Sequence, residues 1–241
     1  MYTGFKIRPP FFEIGPKAYI YGRAALELAK KADEVGYKYN VQIIYTPQYV
    51  DIYEIARATK HIFVFAQHMD SLEIGKGIGS VLPEAIKEAG ASGVLLNHAE
   101  KRLTLSEINR SIKRADEVGL ATLVCADTPE EAAAIAHLGP NIILAEPPSL
   151  IGANQGGIGE RSYVRDINNI VKAINPDIYI LHGAGIVTGK DVYDIIMLGA
   201  EATGCTSGII RAEDPYAALE EMISSVRRAW NDTINNSKRG T

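Results

Sequence analysis

The chain has 241 residues and a formal net charge of −4, with 46% hydrophobic and 22% charged residues. That balance provides enough apolar side chains for one sizeable core and excludes the disordered and fibrous classes. No run of five or more like charges occurs, so nothing resembles the basic surface that nucleic acid or an anionic membrane requires, and a small ligand is expected.

The two cysteines, Cys125 and Cys205, are too few for a disulfide framework and lack the paired spacing of a zinc site. They read as buried reduced thiols, which points to the cytoplasm. Residues Met1 to Pro10 are polar and proline-containing rather than a charged leader before an apolar stretch, and no run of eighteen apolar residues occurs. Neither secretion nor a membrane span is expected.

Along the chain, short runs rich in β-branched and aliphatic residues alternate with longer stretches of helical period. Eight strands are predicted, at Phe11–Ile14, Val41–Tyr45, Ile62–Ala66, Gly93–Asn97, Ala121–Ala126, Ile142–Glu146, Ile178–His182 and Ala200–Cys205. Helical patterns fall at Ala24–Val35, Leu105–Val118, Pro129–His137, Lys190–Leu198 and Pro215–Trp230. Ser106, Asp127-Thr128-Pro129 and Asp214-Pro215 supply start signals, and Gly36, Gly90, Gly119, Gly139 and Gly199 supply stops that tolerate left-handed backbone angles. The ends, Met1–Pro9 and Asn231–Thr241, read as loosely held.

Strands alternating with helices require parallel pairing and right-handed crossovers. Eight such units predict an α/β fold, a single closed (β/α)₈ barrel spanning residues 1–241 with its core at about 11–230. An open doubly wound sheet is the alternative on pattern alone. No linker or shift in composition divides the chain.

In a barrel the active site lies at the C-terminal ends of the strands, where polar residues depart from the packing pattern. Four places stand out: Gly15-Pro16-Lys17, Asn97 to Arg102, Glu146-Pro147-Pro148 and His182-Gly183-Ala184-Gly185. Taken singly, His98 could be a hydrogen-bonded structural residue and Glu146 a turn cap. His61 and His137 read as structural, His68 is ambiguous, and His182 at the strand-seven mouth is a candidate ligand contact. The glycine-bearing loops Gly183-Ala184-Gly185 and Thr206-Ser207-Gly208 suit a phosphate held by backbone N–H groups.

The ordered segments Ala66 to Asp70, Val81-Leu82-Pro83-Glu84-Ala85, Lys87 to Ala91, Leu95-Leu96-Asn97-His98, Glu146-Pro147-Pro148, Leu150-Ile151-Gly152 and Gly183-Ala184-Gly185-Ile186 resemble triosephosphate isomerase, particularly the short archaeal type. The resemblance runs from about Phe11 to Trp230. It implies an intramolecular oxidoreductase of glycolysis and gluconeogenesis that interconverts dihydroxyacetone phosphate and glyceraldehyde 3-phosphate through an enediolate. It further implies Glu146 as base, His98 as electrophile, Lys17 as the ammonium facing the substrate, and Glu100 as a buried carboxylate contacting that lysine. Gly152, Gly183, Ala184, Gly185, Thr206, Ser207 and Gly208 are implied to bind the substrate or its phosphate, and Pro147 to Gly157 to form a lid. Lys101 and Arg102 read as structural ion pairs. No cofactor and no metal are expected, and a homodimer or homotetramer is implied.

Four departures from the family pattern qualify that picture. Gly15 replaces an Asn that contacts substrate, Ala99 replaces a Ser beside the His, Ala153 replaces a lid Thr, and Ile78 stands where a Thr reaches the neighbouring subunit. Volume freed at Gly15 and Ala99 is expected to admit a longer or differently placed substrate. The alternatives are therefore an isomerase of a related phosphorylated ketose, such as a tetrulose phosphate, or a non-catalytic sugar-phosphate binding protein.

Overall fold

In the computed structural model, which describes residues 1–147 and 161–239, eight parallel strands close in sequence order, with β1 paired to both β2 and β8. The strands are β1 (Phe11–Ile14), β2 (Gln42–Tyr45), β3 (Ile62–Ala66), β4 (Gly93–Leu96), β5 (Ala121–Ala126), β6 (Ile142–Ala145), β7 (Tyr179–His182) and β8 (Ala202–Gly204). Asn97, Glu146 and Cys205 fall just past their strands, which frees these residues to turn over the rim. Closure excludes the open doubly wound sheet.

Alternation along each strand sorts its side chains into two apolar layers. Phe11, Ile44, Phe65, Leu123, Leu144 and Leu181 fill the barrel interior. Phe12, Ile14, Ile43, Val64, Val124 and Ile143 face outward into the larger layer beneath the helices. The strands are consequently buried on both sides, which is why they read as near-continuous hydrophobic runs.

The helices are α1 (Gly22–Tyr39), α2 (Ile52–Ala58), α3 (Pro83–Glu88), α4 (Leu105–Val118), α5 (Pro129–Ala136), α6 (Arg161–Ile174), α7 (Gly189–Met197), α8 (Ser207–Ile210) and α9 (Pro215–Arg239). Two start and stop signals lie elsewhere than the sequence suggests. Helix α4 is capped by Thr104, whose hydroxyl accepts from the Glu107 N–H while Glu107 reaches back to the Thr104 N–H, a reciprocal capping box. Ser106 lies inside the helix and accepts from Arg110 at 2.9 Å. Helix α1 runs through Gly36 and ends at Asn40, which takes the left-handed conformation at φ 53°. Gly36 remains a glycine for steric reasons, because an added Cβ would stand 2.9 Å from the Val41 carbonyl oxygen.

The two ends are held more firmly than their composition suggests. The N-terminal ammonium pairs with Asp116 at 2.6 Å, Asn141 Nδ2 donates to the Tyr2 carbonyl at 2.9 Å, and Phe5 packs edge-on against Phe63 and Phe65 beneath the barrel. At the other end α9 continues through Asn231 to Arg239, and Tyr193 Oη donates to Asp232 at 2.8 Å. Lys38 reaches Glu220, and Arg227 Nε donates to the Tyr39 carbonyl, so the last helix is tied to the first. Polar composition missed these contacts because each joins segments far apart in sequence.

Thr104→Ala is expected to lower stability by about 1 kcal/mol and Ser106→Ala by less than about 0.5 kcal/mol in urea unfolding, since only the former removes a cap. Equal losses would place the start of α4 at the wrong residue.

Candidate active site

The strand ends converge on a cavity of about 360 Å³ whose walls include Glu13, Lys17, Thr46, His98, Glu146 and Gly183. Two residues with positive φ outside glycine sit at its rim, Lys17 at 51° and Asn97 at 60°. Such backbone is unfavourable for a side chain and persists only where neighbours over-determine it. At Lys17 the restraint is a pair of amides: Gln48 Nε2 and Gln67 Nε2 both donate to its carbonyl, at 2.7 and 2.9 Å. At Asn97 the side chain donates to the Cys125 carbonyl and to Glu131 and accepts from the Leu103 N–H, each at 3.0 Å. Arg102 completes that brace by pairing with Asp127 and Glu131 and donating to the Asn97 carbonyl. These two kinks aim Lys17 and His98 across the barrel mouth.

His98 Nε2 stands 3.8 Å from Glu146 Oε2, too far for a hydrogen bond. Its other nitrogen, Nδ1, accepts from the Glu100 backbone N–H at 3.1 Å. A backbone N–H can only donate, so the neutral ring carries its proton on Nε2, the side that faces Glu146. Burial, with Lys17 adding to it, holds the imidazole below its ordinary pKa and favours that neutral form. Burial also pushes the Glu146 carboxyl up to about 7, although the Lys17 ammonium pulls it down. Lys17 Nζ pairs with Glu100 Oε1 at 2.8 Å, and that contact lowers the Glu100 pKa. A poised carboxylate, a neutral N–H donor and an ammonium thus share one concave site, the arrangement required to move a carbon-bound proton while stabilising a developing oxyanion.

A family model described as Triosephosphate isomerase matches residues 16–224. A protein named Triosephosphate isomerase from Methanobacterium bryantii is 44% identical over 211 residues, covering 85% of this chain and 91% of the relative. Those of the same name from Sulfurisphaera tokodaii and Methanosarcina mazei are each 40% identical, covering 92% and 90% of this chain and 98% and 99% of themselves. The chain belongs to the triosephosphate isomerase family.

Several residues singled out from sequence meet in the cavity. Lys17, Glu100, His98 and Glu146 line it together with Gly183, Ala184, Gly185, Thr206 and Ser207. Gly208 lies behind the wall, where a Cβ would stand 2.6 Å from the Val187 carbonyl oxygen. Gly183 serves a purpose that the phosphate reading did not foresee: a Cβ there would stand 2.8 Å from Glu146 Oε1, so the glycine makes room for the carboxyl. Glu100 is paired with the lysine as the family implies, yet its side chain is 64% exposed rather than buried, because it projects from the rim loop. Gly152, Ala153 and most of the lid span from Pro147 to Gly157 lie outside the described residues.

His182 does not face the cavity. It is buried outside the lining with Nε2 2.9 Å from Asn168 Oδ1 on α6, and burial lowers its pKa to about 4. His68 is buried 3.3 Å from Asp70, and His61 stacks on Tyr37 with centroids 4.5 Å apart. Among the described residues, no group of three or more His, Cys, Asp or Glu is arranged to hold a metal ion, and no helix is long and apolar enough to cross a membrane.

The family departures open less space than the sequence suggests. A Cβ built on Gly15 would stand 2.8 Å from Glu13 Oε1 and 3.2 Å from Thr46 Oγ1, so the room given up by the missing side chain is already occupied. Ala99 is exposed and lines no part of the cavity. The expected enlargement for a longer substrate is therefore absent at both positions. No role was read from sequence for Glu13, Thr46, Gln48 or Gln67; for Glu13 a carboxyl at an inward position of an otherwise apolar strand was the available signal.

Glu146 also links the site to stability. Its folded pKa lies above the unfolded value, so the corresponding stability is complete below about 4.5 and is lost as pH rises through about 7. Glu146→Gln is expected to gain on the wild type by roughly 1–3 kcal/mol across that window and to show no further gain above it, measured by urea unfolding at stepped pH.

Proposed function

We propose that the chain is a sugar-phosphate aldose-ketose isomerase that interconverts dihydroxyacetone phosphate and glyceraldehyde 3-phosphate. The reading rests on the placement of the Glu146 carboxyl and the His98 Nε2–H, 3.8 Å apart across one cavity. In this scheme the Glu146 carboxylate removes a proton from the carbon beside the substrate carbonyl. His98 donates to the carbonyl oxygen from Nε2 as negative charge builds there, and Lys17 offsets that charge. Glu146, now protonated, returns the proton to the neighbouring carbon, and the hydroxyl proton moves between the two oxygens through His98. Gly183, Ala184, Gly185, Thr206 and Ser207 lie on the side of the cavity suited to the phosphate. Gly152 and the rest of the lid would exclude water from the enediolate. No cofactor is required, because the carbon proton leaves and returns within one substrate.

A homodimer or homotetramer is part of the same proposal. The segment from Ser71 to Ser80 is largely exposed, Ile74 and Ile78 included, and Glu100 is uncovered at the rim. A second copy covering these groups would exclude water from the Lys17–Glu100 pair.

Turnover of both triose phosphates in a coupled assay is expected, with an acid limb in kcat/KM near pH 7 set by ionisation of Glu146. Glu146→Gln should reduce kcat by about a thousandfold or more, since it keeps the shape and removes the base. Full activity in that variant would dismiss the mechanism. Ile78→Asp is expected to reduce the mass in solution measured by light scattering, and an unchanged mass would place the interface elsewhere.

A further inference from the structure

Glu13 has no part in the chemistry assigned to Glu146, His98 and Lys17, yet the barrel is built around it. It occupies an inward position of β1, two residues above Phe11 in the apolar interior, and it lines the cavity while only 7% exposed. Thr46 Oγ1 donates to its Oε1 at 2.8 Å. Two glycines flank the carboxyl: a Cβ on Gly15 would stand 2.8 Å from Oε1, and one on Gly204 would stand 3.0 Å from Oε2. The first distance is shorter than real Cβ atoms show and the second is tight, so position 13 is large where positions 15 and 204 are empty. This is a fitted set rather than a stray acid in a core.

The electrostatics favour the acid form. Glu146 faces Glu13 from the end of β6 and Lys17 faces it from the loop after β1, with the thiols of Cys125 on β5 and Cys205 after β8 nearby. Two carboxylates in one desolvated pocket do not ionise together cheaply. Burial pushes Glu13 up to about 8, with Glu146 raising it further and the Thr46 hydrogen bond and Lys17 opposing, whereas Glu146 reaches about 7. With Glu146 ionised as the base, its charge disfavours ionisation of the buried Glu13 beside it, so the pair holds one base and one acid. Thr46 Oγ1 occupies the Oε1 side of the carboxyl, and no hydrogen bond among the described residues engages Oε2, which leaves that oxygen to face a ligand.

We propose that Glu13 is a substrate-binding residue whose carboxylic acid O–H donates a hydrogen bond to an oxygen of the bound sugar phosphate while Glu146 moves the carbon proton. The assignment rests on the isomerase reading above. The acid proton remains on Glu13 throughout, so no proton balance changes; the contact supplies a neutral donor beside the developing oxyanion. Above about pH 8 Glu13 ionises, which removes the donor and places a second negative charge beside the enediolate and the phosphate. Activity therefore falls on the alkaline side.

The test compares wild type, E13Q and E13L in pH profiles of kcat and KM with the two triose phosphates. Gln keeps a donor and cannot ionise, whereas Leu fills the space with neither a donor nor a buried charge and does not depend on a costly desolvation to fold. E13Q is expected to lower kcat/KM by about threefold near pH 7.5 and to lose the alkaline fall; E13L should lower it by about thirtyfold or more, in keeping with loss of a donor to a charged oxygen. E13L matching the wild type, E13Q falling as far as E13L, or an alkaline fall that persists in E13Q would overturn the proposal. If the wild type turns over neither triose phosphate, the isomerase reading fails on its own. Calorimetric titration with glycerol 3-phosphate then decides the contact: binding weakened about tenfold or more in E13L but not in E13Q supports it, and equal affinity in all three proteins overturns it.

Discussion

Closing eight parallel strands leaves no free edge, so every inward side chain must find its partners inside the same narrow interior and every strand end meets the others at one rim. The remainder of the molecule follows from that constraint. Apolar residues such as Phe11, Phe65 and Leu123 satisfy it by packing. Polar residues satisfy it only where the rim supplies hydrogen bonds, and there they accumulate: Thr46, Glu13, Gln67, His98 and Glu146 are gathered within one cavity from five strands or the loops after them.

A carboxyl in such a place is costly to ionise, and the cost is what makes it reactive. Desolvation raises Glu146 into the neutral range, and the Lys17 ammonium keeps it from rising further. The same desolvation holds His98 neutral. The site thereby stores a base ready to accept a proton and a donor that carries no charge of its own. Space is regulated in the same economical way, for Gly183 yields to Glu146 while Gly15 and Gly204 yield to Glu13. The small residue at position 15 and the large one at position 13 are thus matched in packing.

Geometry at the rim depends on backbone strain held by long-range contacts. Lys17 and Asn97 take positive φ angles because Gln48 and Gln67 capture one carbonyl, and Cys125, Glu131 and Arg102 brace the other turn. These braces come from neighbouring strands and helices, so the orientation of the chemistry is a property of the closed barrel rather than of either loop.

The sequence by itself determined the order and type of the main elements, because hydrophobic period and turn residues are local properties. The eight strands lie within two residues of their expected bounds at each end, and α4 occupies its expected span. The ordered segments around Lys17, His98, Glu146 and Gly183 likewise made the family and the principal candidates legible. Other features depended on residues distant in the chain and only the tertiary structure decided them. Met1 is anchored by Asp116, His182 turns away to Asn168, and the short helices α2, α3 and α8 carry too little period to register alone. The hole inferred at Gly15 is the clearest case, since a missing side chain is read from one position whereas a cavity depends on everything around it. Glu13 lies on β1 and Thr46 just past β2, and the pairing of those two strands, distant in sequence, brings their oxygens to 2.8 Å and fills that space.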